Sequence, residues 1–128
     1  MRLYIVGKEK TVDAVGTKIK KGEIFVNKKP YEQIFPSLAE KTILLKPLSL
    51  TESLDRFAIS ILVNGGGKTG QLEAIVLGLA RALESSDKAG LRPGLKKAGL
   101  LTQDSRERER RKVGTGGKAR RAKQSPKR

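Results

Sequence analysis

The chain has 128 residues, 37% of them hydrophobic, and carries 28 Lys and Arg against 13 Asp and Glu for a net charge of +15. That length and apolar content support one domain rather than two, and the charge points to a polyanionic partner, nucleic acid ahead of an anionic membrane surface. With no Cys and no His, disulfides, thiol nucleophiles, imidazole acid–base chemistry and most zinc sites are excluded, so no catalytic residue, cofactor or metal ligand is assigned. No apolar run approaches the roughly 20 residues of a membrane span, and Met1-Arg2-Leu3-Tyr4 is not a secretory signal. The expected location is the cytoplasm or an organelle matrix, with no membrane partner.

Residues 3–6 read as a short strand, followed by Gly7 and a charged Lys8-Glu9-Lys10 turn. Val12 to Ile19 reads as a second strand broken at Gly16, and Lys20-Lys21-Gly22 as a hairpin turn into Ile24-Phe25-Val26. Residues 27–30 end that strand. Ser37-Leu38-Ala39-Glu40 has the spacing of a capping box after Pro36, which predicts a helix over residues 37–46. Ile43, Leu44 and Leu45 would suit a buried strand as well. Pro47 is expected to end the element, and Ser49 to Glu52 repeats the cap spacing, suggesting another turn or two of helix.

The centre of the chain is residues 57–83. Phe57, Ile59, Ile61 and Val63 alternate as in a strand with one buried face. Asn64-Gly65-Gly66-Gly67 then turns the backbone, and Thr69 or Gly70 opens a helix whose Leu72, Ile75, Val76, Leu79 and Leu83 fall on one stripe. Residues 84–90 look turn-like, and residues 91–99 allow a short helix ended by Gly99.

From Thr102 onward Val113 is the only large apolar side chain in 27 positions. This segment holds 11 basic residues and three acids, Asp104, Glu107 and Glu109, a balance of +8, while residues 1–101 carry 17 minus 10, or +7. Such a composition cannot offset its ordering entropy without a partner. The expected division is a globular domain over residues 1–101 and an extended basic RNA-binding tail over residues 102–128, able to reach about 90 Å at roughly 3.3 Å per residue. Its Arg and Lys suit phosphate neutralisation. All five aromatics precede the glycine turn, so the tail has no base-stacking platform.

Gly67-Lys68-Thr69 resembles the end of a phosphate-binding P-loop, but the motif requires Gly where Leu62 stands, and the match fails. Two readings of the turn remain. The amino end of the following helix with Lys68 could hold an RNA phosphate, or the glycines could let helix and strand pack closely. Lys96 and Lys97, beside Gly99, are RNA-contact candidates or an ordinary solvated face.

Val63-Asn64-Gly65-Gly66-Gly67, Thr69-Gly70-Gln71, Ala74-Ile75, Arg81-Ala82-Leu83, Leu91-Arg92-Pro93, Leu95 through Leu101-Thr102, Glu109-Arg110-Arg111-Lys112, Lys118-Ala119-Arg120-Arg121 and the terminal Lys127-Arg128 together resemble the bacterial S-nine family of small-subunit ribosomal proteins. The likeness runs from about Pro47 to the end, with weaker echoes at Tyr4, Val26-Asn27 and Pro30. It implies an α/β (α+β two-layer) domain on the head of the small subunit. The implied architecture is a mixed β-sheet against two main helices, of the left-handed βαβ type of ribosomal small-subunit proteins, with the basic tail threading ribosomal RNA. It also implies a structural role without catalysis. The partners it implies are small-subunit ribosomal RNA, the peptidyl-site tRNA and neighbouring proteins of the subunit head.

Carried over by position, Lys112, Lys118, Arg120 and Arg121 are ribosomal RNA contacts, and Lys127 and Arg128 are the tRNA-proximal pair; Arg110, Arg111 and Lys123 of the same basic tail are further RNA-binding candidates. Near the amino terminus the family carries a Gly-Arg-Arg-Lys run where this chain has Gly7-Lys8-Glu9-Lys10, leaving Lys8 and Lys10 as the contacts there and placing two acids, Glu9 and Asp13, on a normally RNA-facing turn. The ending Gln124-Ser125-Pro126-Lys127-Arg128 lacks the family's aromatic, and Pro126 stiffens the approach of the last two residues. The alternative function is a non-ribosomal nucleic-acid-binding or RNA-chaperone protein.

Overall fold

The computed structural model describes residues 2–5, 11–14 and 17–106, with side chains from Lys18 onward. In chain order the elements are β1 (Arg2–Ile5), β2 (Thr11–Ala14), β3 (Thr17–Lys20), β4 (Ile24–Val26), β5 (Lys29–Pro30), α1 (Tyr31–Ile34), α2 (Leu38–Leu50), β6 (Phe57–Ile61), α3 (Lys68–Ser86) and α4 (Lys88–Lys97). Four strands form a mixed sheet in the order β1-β6-β4-β5: β6 runs antiparallel to β1 and parallel to β4, and β5 runs antiparallel to β4. The two long helices, α2 and α3, pack on each other, and α4 packs against both. This is the expected mixed sheet with two main helices.

Strand β6 sits at the centre because its side chains allow burial on both faces. Phe57, Ile59 and Ile61 join Ile24 and Val26 of β4 and Leu44, Leu48, Leu72, Ile75, Leu79, Leu83 and Leu95 of the helices in one core. Alternation in the sequence predicts a single buried face, but Ala58 and Ser60 are buried too. They are small enough for the antiparallel β2–β3 hairpin to close over the second face, where Ile19 is fully buried outside the helix-side core. The predicted hairpin at Lys20-Lys21-Gly22 is therefore a turn between different sheets. Gly22, at φ +85°, donates its N–H to Phe57 O, and Glu23 O accepts from Ile59 N, so β4 leaves the turn to pair with β6.

The capping box at Ser37 and Glu40 is present and starts α2. Pro47 does not end that helix. It lies inside, with no N–H for Ile43 O, a defect of about 3 kcal/mol. Continuing the helix buries Leu48 completely, and Pro47 itself is buried, at about 1.5–3 kcal/mol for a large apolar side chain. Tertiary packing thus offsets the local penalty. Ser49 belongs to the same helix and its hydroxyl donates back to Lys46 O, while Ser53 N closes the end on Leu48 O, so no second helix begins there. Along α3, Leu72, Ile75, Leu79 and Leu83 of the predicted stripe are buried, with Val76 half-buried. The helix continues to Ser86, through residues expected to form a turn.

Candidate nucleic-acid interface

β4 and β6 end side by side, and the β4–β5 turn and the glycine loop leave from the carboxyl ends of these parallel strands, the usual location of a ligand crevice in such sheets. Asn27 extends the pairing past the end of β4. Its N–H donates to Ile61 O (2.9 Å), its side-chain Nδ2 donates to Val63 O (2.9 Å), and its Oδ1 accepts from Val63 N (3.0 Å). From the other side, Gln71 Nε2 donates to Gly65 O (3.0 Å). The glycine loop is therefore braced at both ends by side-chain amides.

Gly65 and Gly66 have φ of +77° and +69°, the left-handed region that glycine enters without steric cost. Gly67 and Gly70 do not need that freedom. A Cβ at any of the four would meet no atom within 4 Å, so close packing of helix on strand is not what these glycines serve. They leave an exposed stretch of bare backbone. α3 starts from Gly67 with no side-chain cap on its first N–H groups, and the helix dipole adds partial positive charge there. Lys68, the first helical residue, places Nζ 3.2 Å from Glu40 Oε1 with half its side chain exposed. That pair joins the first turns of α2 and α3 at one end of the sheet.

The root of the tail lies beside the same turns. α4 is capped by Asp87, whose carboxylate accepts from Gly90 N, and it carries the exposed Lys96 and Lys97 in its last turn. Gly99, at φ +72°, donates to Lys96 O and Leu100 N to Leu95 O, the paired bonds that close a helix through a left-handed glycine. This is the terminating role expected of Gly99. The chain then runs along the first turns of α3, where Leu100, Thr102 and Asp104 share a groove of about 440 Å³ with Ile43, Gly70 and Glu73. Arg106 donates to both carboxylate oxygens of Asp104 and holds that carboxyl at about 2, chiefly through the side-chain hydrogen bonds. Asp104, with a smaller contribution from Glu73, raises the Arg106 pKa in turn. Both partners are exposed, so the pair adds little stability.

Of the residues singled out in the sequence, Lys68 stands at the glycine-loop end, and Lys96 and Lys97 sit at the carboxyl end of α4 from which the tail emerges. Lys8, Lys10, Arg110, Arg111, Lys112, Lys118, Arg120, Arg121, Lys123, Lys127 and Arg128 lie outside the described residues. Two lysines assigned only to the end of a strand, Lys28 and Lys29, are exposed at the glycine-loop end. Asn27 was the available signal, since Asn favours the first position of a tight two-residue hairpin. Among the described residues no group of three or more potential ligands is placed to hold a metal, and no helix is long and apolar enough to cross a membrane.

Basic side chains around exposed backbone, beside the root of a basic segment, suit recognition of a phosphate backbone by charge and shape. The family comparison agrees. A model described as Ribosomal protein S9/S16 matches residues 7–128, so the chain belongs to this family of structural ribosomal proteins, which bind ribosomal RNA.

Proposed function

We propose that the protein sits in the head of the small ribosomal subunit, where the domain anchors a basic tail that lies along ribosomal RNA and ends at the peptidyl-site tRNA. On this reading residues 1–101 are the anchor and residues 102–128 the tail. The observation that carries it is the meeting of the glycine loop, Lys68 and the tail root at one end of the sheet, which lets domain and tail engage one continuous RNA surface. Lys8, Lys10, Lys68, Lys96 and Lys97 contact ribosomal RNA from the domain. Arg110, Arg111, Lys112, Lys118, Arg120, Arg121 and Lys123 do so from the tail, and Lys127 and Arg128 reach the tRNA backbone. No step requires a cofactor or a catalytic group. The work is done by charge neutralisation and shape.

The test uses Arg128→Ala in otherwise intact subunits. Incorporation into small subunits on sucrose gradients is expected to match wild type, while tRNA dissociates faster from the peptidyl site. Failure of incorporation, or unchanged tRNA retention, would contradict the assignment of the tip.

A further inference from the structure

We propose that the β4–β5 turn, through Lys28 and Lys29, is a dedicated RNA-backbone contact of the domain, forming one rigid surface with the glycine loop. The inference rests on the RNA-binding reading above and adds to it a surface that neither the family match nor the sequence motifs assign.

The first observation is conformational. Asn27 and Lys28 have φ of +50° and +67° and connect strands paired Val26 to Lys29 and Phe25 to Pro30, a two-residue hairpin with both central residues left-handed. Turns of this kind favour Asn followed by Gly, because a side chain at the second position clashes with its own backbone. Here that position carries Lys. A lysine in a strained conformation where glycine fits better indicates a use for its side chain. Lys28 and Lys29 are both exposed, and no ion pair among the described residues involves either.

The second observation is mechanical and independent of the first. The Asn27 side chain makes two hydrogen bonds to Val63, tying the turn to the start of the glycine loop, which Gln71 holds from the far side. The lysine backbone is thus pre-positioned against the bare loop, so little ordering entropy is lost when a ligand arrives. Where Asn27 meets the chain after β6 lies a shallow recess of about 380 Å³ lined by Asn27, Leu62, Val63 and Asn64, with Leu62 59% exposed. Two exposed lysines that follow Asn27, beside a recess with one apolar and one amide wall, suit a sugar–phosphate backbone, the phosphates meeting Lys28 and Lys29 and a ribose face meeting Leu62.

The experiment compares full-length Lys28→Gly/Lys29→Gln with wild type and with the equal-charge control Lys46→Gln/Lys88→Gln, whose exposed lysines lie on α2 and α4. A transcript of small-subunit ribosomal RNA is the probe, titrated across salt concentrations, and each variant is melted thermally. Lys28→Gly is expected to leave the melting temperature unchanged or raised, because the strain is relieved. The same double variant is expected to flatten the slope of log affinity against log salt by about 1–2, at roughly 0.7–0.9 per phosphate. The control pair is expected to leave the slope unchanged. Equal flattening in both pairs, or none in the first while wild type binds, overturns the proposal alone. A wild-type chain without salt-dependent binding overturns the RNA reading and the proposal together. If Lys28→Gly/Lys29→Gln fails to fold, Lys28→Asn, which tolerates the same backbone, is read in its place by the same criteria.

Discussion

The starts of α2 and α3 solve the same problem in opposite ways. At α2, Ser37 and Glu40 form a capping box in which the Glu40 carboxylate reaches back to accept the Ser37 N–H (3.4 Å). At α3, Gly67 offers no side chain, and the loop before it carries three glycines with open space where each Cβ would stand. Both starts are exposed, yet side chains close the first and are absent from the second. Lys68 and Glu40 connect the two starts, so the closed end holds part of the open end's positive charge in an ion pair. A helix start stripped of side chains beside basic residues is suited to a partner whose own backbone comes close.

The largest effect expected from breaking this arrangement lies beneath both starts, in the core that holds them. Leu79→Ala removes a fully buried side chain and is expected to cost about 2–5 kcal/mol in denaturant unfolding, weakening RNA binding only in proportion to the unfolded fraction. A smaller and more pointed effect comes from exchanging the caps. Ser37→Ala is expected to cost about 1 kcal/mol. Gly67→Ser, at φ −94° and ψ 169° with open space around it, supplies the missing cap and is expected to stabilise by a few tenths of a kcal/mol, yet to weaken RNA binding by obstructing the loop. Stabilisation with unchanged affinity would show that the bare surface is not used. The smallest expected effect is that of Glu40→Gln. Gln keeps the capping box while releasing Lys68, so stability should move by less than about 0.5 kcal/mol, as for an exposed ion pair. Affinity for RNA should rise a few-fold at low salt and converge on wild type at high salt.

Much of the fold was legible because local signals agreed with burial. The stripe from Leu72 to Leu83, the capping box at Ser37 and the glycine stop at Gly99 each form where their spacing places them. Misreadings arose where a distant element decided the outcome. Pro47 stays helical because burying Leu48 offsets a lost hydrogen bond. Lys20-Lys21-Gly22 does not make a hairpin because β4 finds its partner in β6, more than 30 residues on. The second buried face of β6 depends on a hairpin whose docking no alternation could announce. At the interface, Lys68 was legible from its place after the glycines. Lys28 and Lys29 were not, because their relevance depends on the Asn27 side chain reaching Val63 across 36 positions. The spacing of Glu40 predicts only a cap, whereas in the fold its second oxygen also meets Lys68.

The most direct test of the account is a salt titration of ribosomal RNA binding by the full chain and by a chain ending at Val113. The shortened chain loses Lys118, Arg120, Arg121, Lys123, Lys127 and Arg128. The account predicts an unchanged melting temperature and a slope of log affinity against log salt lower by about 4–5, at roughly 0.7–0.9 for each phosphate released. An unchanged slope, or a domain that unfolds without residues 114–128, would contradict it.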